Sequence, residues 1–193
     1  MKPSRPIAAC WVAAVILASC AAPPLTVYTL GAPSAATELS PSGTHPVVIA
    51  VARVTVPDEL DTTDIVVRDA SALRRSQQGR WSSRLSVGIT ERLTRQLAGR
   101  RPDALVTNRP LTETPSYRIL VNIGRLDVTV SGGVTLDADW LIVPRDPSAP
   151  AKRDRRRLTA SGPVATDQDV VTVVGRIMDE LADAIDIGRL AKR

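Results

Sequence analysis

The sequence predicts one α/β domain over residues 46–193, a mixed and mostly antiparallel β-sheet packed with two amphipathic helices. Three observations carry this. Val47 to Val56 is a near-continuous apolar run ended by Pro57, the pattern of a strand buried on both faces. Ser82 to Ala98 and the stretch from Asp167 to Gly188 each repeat apolar residues at helical spacing. Residues 117–143 alternate apolar and polar side chains about a Ser-Gly-Gly turn, as a β-hairpin does. In order the elements read ββαβ–ββ–βα, which suits a sheet with helices packed on it.

The opening strand is followed by a shorter one at Asp64 to Asp69. In the first helix Leu85, Ile89, Leu93 and Leu97 form one stripe; Ser82 or Ser83 is placed to cap its start, and Gly99 with Pro102 to stop it. Gly88 on this helix is a local weakness or a point of close packing. Ala104 to Thr107 is a short strand. Along the hairpin Tyr117, Ile119, Val121 and Ile123 share a face; after Gly124-Arg125 the phase flips to Leu126, Val128 and Val130, which predicts a β-bulge at the glycine. Ser131-Gly132-Gly133 makes the turn. The return strand sets Val134, Leu136, Ala138, Trp140 and Ile142 on one face and Thr135, Asp137 and Asp139 on the other. Residues 144–153 read as a Pro-containing loop and Arg155 to Ala160 as an edge strand. Asp167 is placed to cap the last helix, whose stripe is Val170, Val174, Ile177, Leu181 and Ile185, with Gly188 as its stop.

Ahead of the domain lies a leader. Lys2 and Arg5 form a basic start, Ile7 to Leu17 an apolar run, and Leu17-Ala18-Ser19-Cys20 resembles a bacterial lipobox. The run is 11 residues, short of the ~20 that a spanning helix needs. Residues 1–19 are therefore expected to be cleaved as a signal peptide, leaving Cys20 as a lipid-attachment site. Residues 20–45 read as a lipidated tether, rich in Pro, Ser, Thr and Ala, with too little apolar surface to offset chain entropy. Fully extended it would reach about 85 Å. One island departs from this. Leu25-Thr26-Val27-Tyr28-Thr29-Leu30 is apolar and β-prone, and it docks either on its own domain or on a partner; Tyr28 and Leu30 are the candidate contact residues.

Composition narrows the function classes. The chain has 193 residues and a formal charge of +5, which falls to +3 when Lys2 and Arg5 leave with the leader. Cys10 leaves as well and Cys20 would be acylated, so neither a disulfide framework nor a catalytic thiol is expected. Trp81, Trp140, Tyr28 and Tyr117 are too few aromatics for a base-stacking platform, and no nucleic-acid partner is expected. His45 is the only histidine and sits beside Pro46 in the tether. No Gly-x-Ser-x-Gly elbow, Walker loop or His-Glu-x-x-His occurs, and neither a catalytic residue, a metal nor a cofactor is assigned. Asp137 and Asp139 could hold a hard cation, though the solvent face of a half-buried strand is the plainer reading. Lys152-Arg153-Asp154-Arg155-Arg156-Arg157 is a solvated strand edge or a contact for anionic headgroups or a partner. Trp81 and Trp140 read as core.

Several segments together resemble one family. Val27-Tyr28-Thr29-Leu30, then Val51-Ala52-Arg53-Val54-Thr55-Val56-Pro57, Leu60-Asp61, Ile65-Val66-Val67-Arg68, Arg80-Trp81 before Leu85, and Leu136-Asp137-Ala138-Asp139-Trp140 are similar, in order, to the PqiC- or YmbA-like auxiliary lipoproteins of ABC-type lipid transporters. The resemblance implies a non-enzymatic accessory subunit that works with an Mce-domain protein of an ABC phospholipid transporter. It also implies a lipid anchor in the outer membrane facing the periplasm, since Ala21, and not Asp, follows the anchor cysteine. A homo-oligomer is compatible with it. The alternative is a structural lipoprotein supporting another outer-membrane or secretion complex, and a periplasmic hydrolase stands third.

Overall fold

The computed structural model describes residues 24–30 and 47–188. The leader, Cys20, His45 and the rest of the expected tether lie outside those residues. The elements are β1 (Thr26–Tyr28), β2 (Val47–Val51), β3 (Asp64–Asp69), β4 (Ala72–Trp81), α1 (Leu85–Arg100), β5 (Ala104–Thr107), β6 (Tyr117–Val128), β7 (Gly133–Pro144), β8 (Lys152–Ser161) and α2 (Asp167–Ala184).

The strands form two sheets. Five lie in the order β5-β2-β6-β7-β8 and three in the order β1-β4-β3. β2 runs parallel to β5 and β6, whereas the β6–β7 and β7–β8 pairs are antiparallel. The mixed, mostly antiparallel α/β domain with two helices is therefore what the protein builds, with the strands divided between two sheets.

The long hairpin follows its sequence pattern closely. Val121 faces Trp140 and Ile119 faces Ile142, and the register slips between Ile123 and Arg125, at the glycine of the phase flip. Val134, Leu136, Ala138, Trp140 and Ile142 are all buried. With the stripes of both helices and with Trp81 they form one core; each such side chain contributes roughly 1.5–3 kcal/mol on burial. β8 takes the sheet edge, as its charge run suggests, but extends from Lys152 to Ser161, beyond the Arg155–Ala160 expected.

Several boundaries differ from expectation, among them the end of α2, which stops at Ala184 and not at Gly188. β2 ends at Val51, five residues before the apolar run does; Thr55 then bridges to Asn122, and the Val54 N–H donates to Thr90 Oγ1 (2.9 Å). The first helix starts at Leu85 and is capped by neither Ser82 nor Ser83. Asp61, in the loop between β2 and β3, accepts from the Ser86 N–H at 3.0 Å, and Leu85 N–H donates to the Thr62 carbonyl. Gly99 does not stop this helix, which runs on to Arg100; nothing crowds that glycine, and Pro102 follows the true end. The last helix is capped by Thr166 and not by Asp167: Thr166 Oγ1 accepts from Asp169 N–H (3.1 Å) while Asp169 accepts from Thr166 N–H (3.0 Å), a reciprocal capping box.

β4 has no counterpart in the sequence reading. Its segment Ala-Leu-Arg-Arg-Ser-Gln-Gln-Gly-Arg-Trp has no apolar alternation, and most of it faces solvent. It is held by its ladder with β3 and by a tight turn in which Ala70 adopts φ 52°.

Candidate docking surfaces

The apolar island of the expected tether joins the fold. β1 pairs in parallel with β4, setting Thr26 against Gly79, Val27 against Arg80 and Tyr28 against Trp81, and the Ser82 N–H donates to the Tyr28 carbonyl at 2.7 Å. Of the two ways it could dock, docking on its own domain is the one observed. Leu30 is only 5 % exposed and packs on Gly88 of α1, where an added Cβ would stand 3.2 Å from Leu30 Cδ1. Gly88 is thus a point of close packing. Tyr28 is half-buried against the core, whereas Leu25 and Val27 are exposed. Of the two contact candidates, Leu30 is committed inward; the side chains this segment offers to an outside surface are Leu25 and Val27, which the sequence did not single out.

Arg92 fixes the segment from behind. Its guanidinium donates to the Leu30 carbonyl and grips Asp179 of α2 through Nε (2.8 Å) and Nη2 (2.6 Å). Gln96 donates to the same carboxylate at 2.7 Å. Gly175 of α2 leaves room for this guanidinium, since a Cβ there would stand 3.1 Å from Arg92 Cζ. One arginine therefore ties the N-terminal segment to both helices.

The second surface is the side of the five-stranded sheet opposite the buried row. Arg118, Leu120 and Asn122 of β6 are exposed there, and Leu120 pairs with Leu141. Beyond this apolar pair the face carries cross-strand charge. Arg125, Asp137 and Arg157 stand in register across β6, β7 and β8, and Arg157 donates to Asp137 through Nε (2.6 Å) and Nη2 (3.0 Å). That bond, outweighing the small desolvation cost and helped by Arg125 and Arg155, holds the Asp137 carboxyl below its usual range and raises the Arg157 guanidinium. Asp139 accepts from Asn122 Nδ2 at 3.0 Å. The two aspartates thus point to strand partners, and no cluster of metal-ligating side chains occurs among the described residues. Arg153 and Arg155 lie in the same row of β8 and make no side-chain ion pair among the described residues.

The small sheet joins the large one through charge. Asp127, 7 % exposed, accepts from Arg68 of β3 and from Arg125 at 2.8 Å. Burial opposes its ionisation, but these two hydrogen bonds and charges win and hold the carboxyl below its usual range. Asp61 is governed the same way: burial is outweighed by hydrogen bonds from Ser86 and by Arg53 and Arg84. Asp127 and Asp61 thus serve as a structural pair and a cap. A small recess between the sheets, lined by Leu60, Trp81, Leu126 and Val174 among others, holds about 20 Å³, the room of one water, while a wider open cavity of about 600 Å³ lies beside Val47, Tyr117 and Pro144.

Comparison with known proteins agrees with this architecture. A family model described as the ABC-type transport auxiliary lipoprotein component matches residues 28–186. A crystal structure of an uncharacterized protein superposes with a TM-score of 0.68 at 16 % identity, covering 84 % of this chain and 96 % of that one. Protein XCC0632 from Xanthomonas campestris, of family DUF330, superposes with a TM-score of 0.59 at 11 % identity, covering 83 % of this chain and 92 % of that one. At these identities the likeness is one of fold. No curated protein matches the chain.

Proposed function

Because the chain belongs to the family of ABC-type transport auxiliary lipoprotein components, we propose that it is a non-enzymatic accessory subunit of an Mce-type ABC phospholipid transport system. In this reading it is held in the outer membrane, facing the periplasm, by an acyl group on Cys20. The observation that carries the reading is the extent of the family match, from Tyr28 in β1 to Asp186 just past α2. The surface offered to the transporter is the uncovered face around Leu120 and Leu141, because the helices occupy the other side of the sheet.

The test is affinity purification of the acylated chain from detergent-solubilised membranes, read by mass spectrometry. Co-purification of an Mce-domain subunit and an ABC permease supports the proposal. Recovery of secretion or assembly proteins in their place favours the structural lipoprotein reading. A differently tagged second copy in the eluate would report self-association.

A further inference from the structure

The uncovered face of the five-stranded sheet carries cations that its own carboxylates leave unmatched. Strand register sets the side chains of this face in rows. Ala50, Arg118 and Val143 stand side by side across β2, β6 and β7. Leu120, Leu141 and Arg153 form the next row across β6, β7 and β8, and Asn122, Asp139 and Arg155 the one after it. The aspartates of this face are engaged: Asp137 accepts from Arg157, and Asp139 from Asn122. Arg118, Arg153 and Arg155 are exposed and make no side-chain ion pair among the described residues. β6 and β8 lie two strand spacings apart, about 10 Å, so these guanidiniums flank the apolar pair Leu120–Leu141. Resting on the reading that this face meets the transporter, we infer that what it receives is an acidic segment of the partner protein. An apolar side chain of that segment sits on Leu120 and Leu141, and its carboxylates reach Arg118, Arg153 and Arg155.

The relief of the face selects a protein segment over a lipid surface. Beside Leu120 an open cavity of about 380 Å³ lies between β2, β6 and the loop that follows β5. Arg53, Arg109, Arg118, Leu111 and Leu120 line it, and Glu113 is the one carboxylate among its described lining residues. A layer of headgroups meets a protein along a broad front and leaves such a recess unfilled, whereas a projecting side chain enters it. Protein interfaces are built in this way, with a few apolar anchors seated at the centre and charges at the rim. The unmatched cations fix the sign of the partner, because like charges brought together at an interface repel and opposite ones steer the encounter. The same arginines explain why an apolar pair stays uncovered on an isolated domain: charge around Leu120 and Leu141 opposes the stacking of two such faces, like on like.

The test places a photo-crosslinking amino acid at Leu120 of the full chain in its native membranes and sequences the cross-linked peptide by mass spectrometry. A peptide of a different envelope protein, with Asp or Glu beside the attachment site, is expected. The triple variant Arg118→Glu, Arg153→Glu and Arg155→Glu should lower the yield at least about fivefold, while Arg118→Lys, Arg153→Lys and Arg155→Lys together, which keep the charge, should retain most of it. All three arginines are exposed, and unchanged melting temperatures of the purified variants show that they fold. A partner peptide without Asp or Glu, or a yield indifferent to charge reversal, overturns the inference. So do lipid adducts alone, or a second copy of this chain as the product. An acidic peptide from a protein outside any ABC transporter overturns the transporter reading and upholds the chemistry of the face.

Discussion

Leu30 closes onto Gly88 so tightly that a Cβ on the glycine would stand 3.2 Å from Leu30 Cδ1. A residue seventeen positions ahead of the second strand is thereby part of the hydrophobic core. Leu30→Ala should cost about 2–4 kcal/mol, the range for a buried leucine truncated in place. Urea unfolding of the two proteins measures it. A loss below about 0.5 kcal/mol, the size of an ordinary surface substitution, would mean that the segment merely rests on the domain.

Trp140 is 4 % exposed and faces Val121 across the hairpin. Trp140→Ala should cost about 3–5 kcal/mol by chemical denaturation. A near-neutral result would put the indole outside the core.

Gly132 has φ +87°, and a Cβ there would collide with the Gly162 carbonyl oxygen. Gly132→Ala should therefore destabilise by about 2 kcal/mol or more, because both backbone conformation and space reject it. Ala70 is the converse case. It holds φ 52° where glycine is at ease, so Ala70→Gly should raise stability by up to about 1 kcal/mol. Thermal melts of the pair should move in opposite directions.

Asp127 links β3 to β6 through Arg68 and Arg125, whose hydrogen bonds and charges outweigh burial and hold its carboxyl below the usual carboxylate range. A carboxyl whose pKa is lower folded than unfolded stabilises the protein above the unfolded value, and that contribution is lost as pH falls through the folded value. Asp127→Asn should therefore lower the melting temperature at pH 5–7, by about 2 kcal/mol in stability terms for a charged hydrogen-bonding pair. The gap from wild type should close below about pH 4. A gap independent of pH down to 2 would show that the charge of Asp127 is not what joins the sheets.

Much of the fold was legible because it is written in periodicity. The hairpin announced itself by alternation at Ile119, Val121, Ile123 and at Val134 to Ile142, and its bulge by a phase change at Gly124. β4 was illegible for the opposite reason. A strand with Arg74, Arg75, Gln77 and Gln78 at its exposed positions carries no hydrophobic signal and exists through ladder hydrogen bonds and its turn. The start of α1 misled because Ser82 and Ser83 have the right chemistry, yet the cap comes from Asp61, more than twenty residues earlier, which no local rule reaches. The surfaces divide the same way. Val27, Tyr28 and Leu30 stood out as an apolar island, but which side chains turn inward depended on the partner strand, and Arg92 as the link between segment and helices left no mark in sequence spacing.

The account stands most directly on what the uncovered sheet face touches in the native envelope. A photo-crosslinking amino acid in place of Leu120, which is 40 % exposed and borders Leu141, reads that contact without purification. The account predicts covalent products containing an Mce-domain or permease subunit of an ABC transporter, absent when the crosslinker is placed at the buried Ile119. Products containing only proteins of another envelope machine would contradict it.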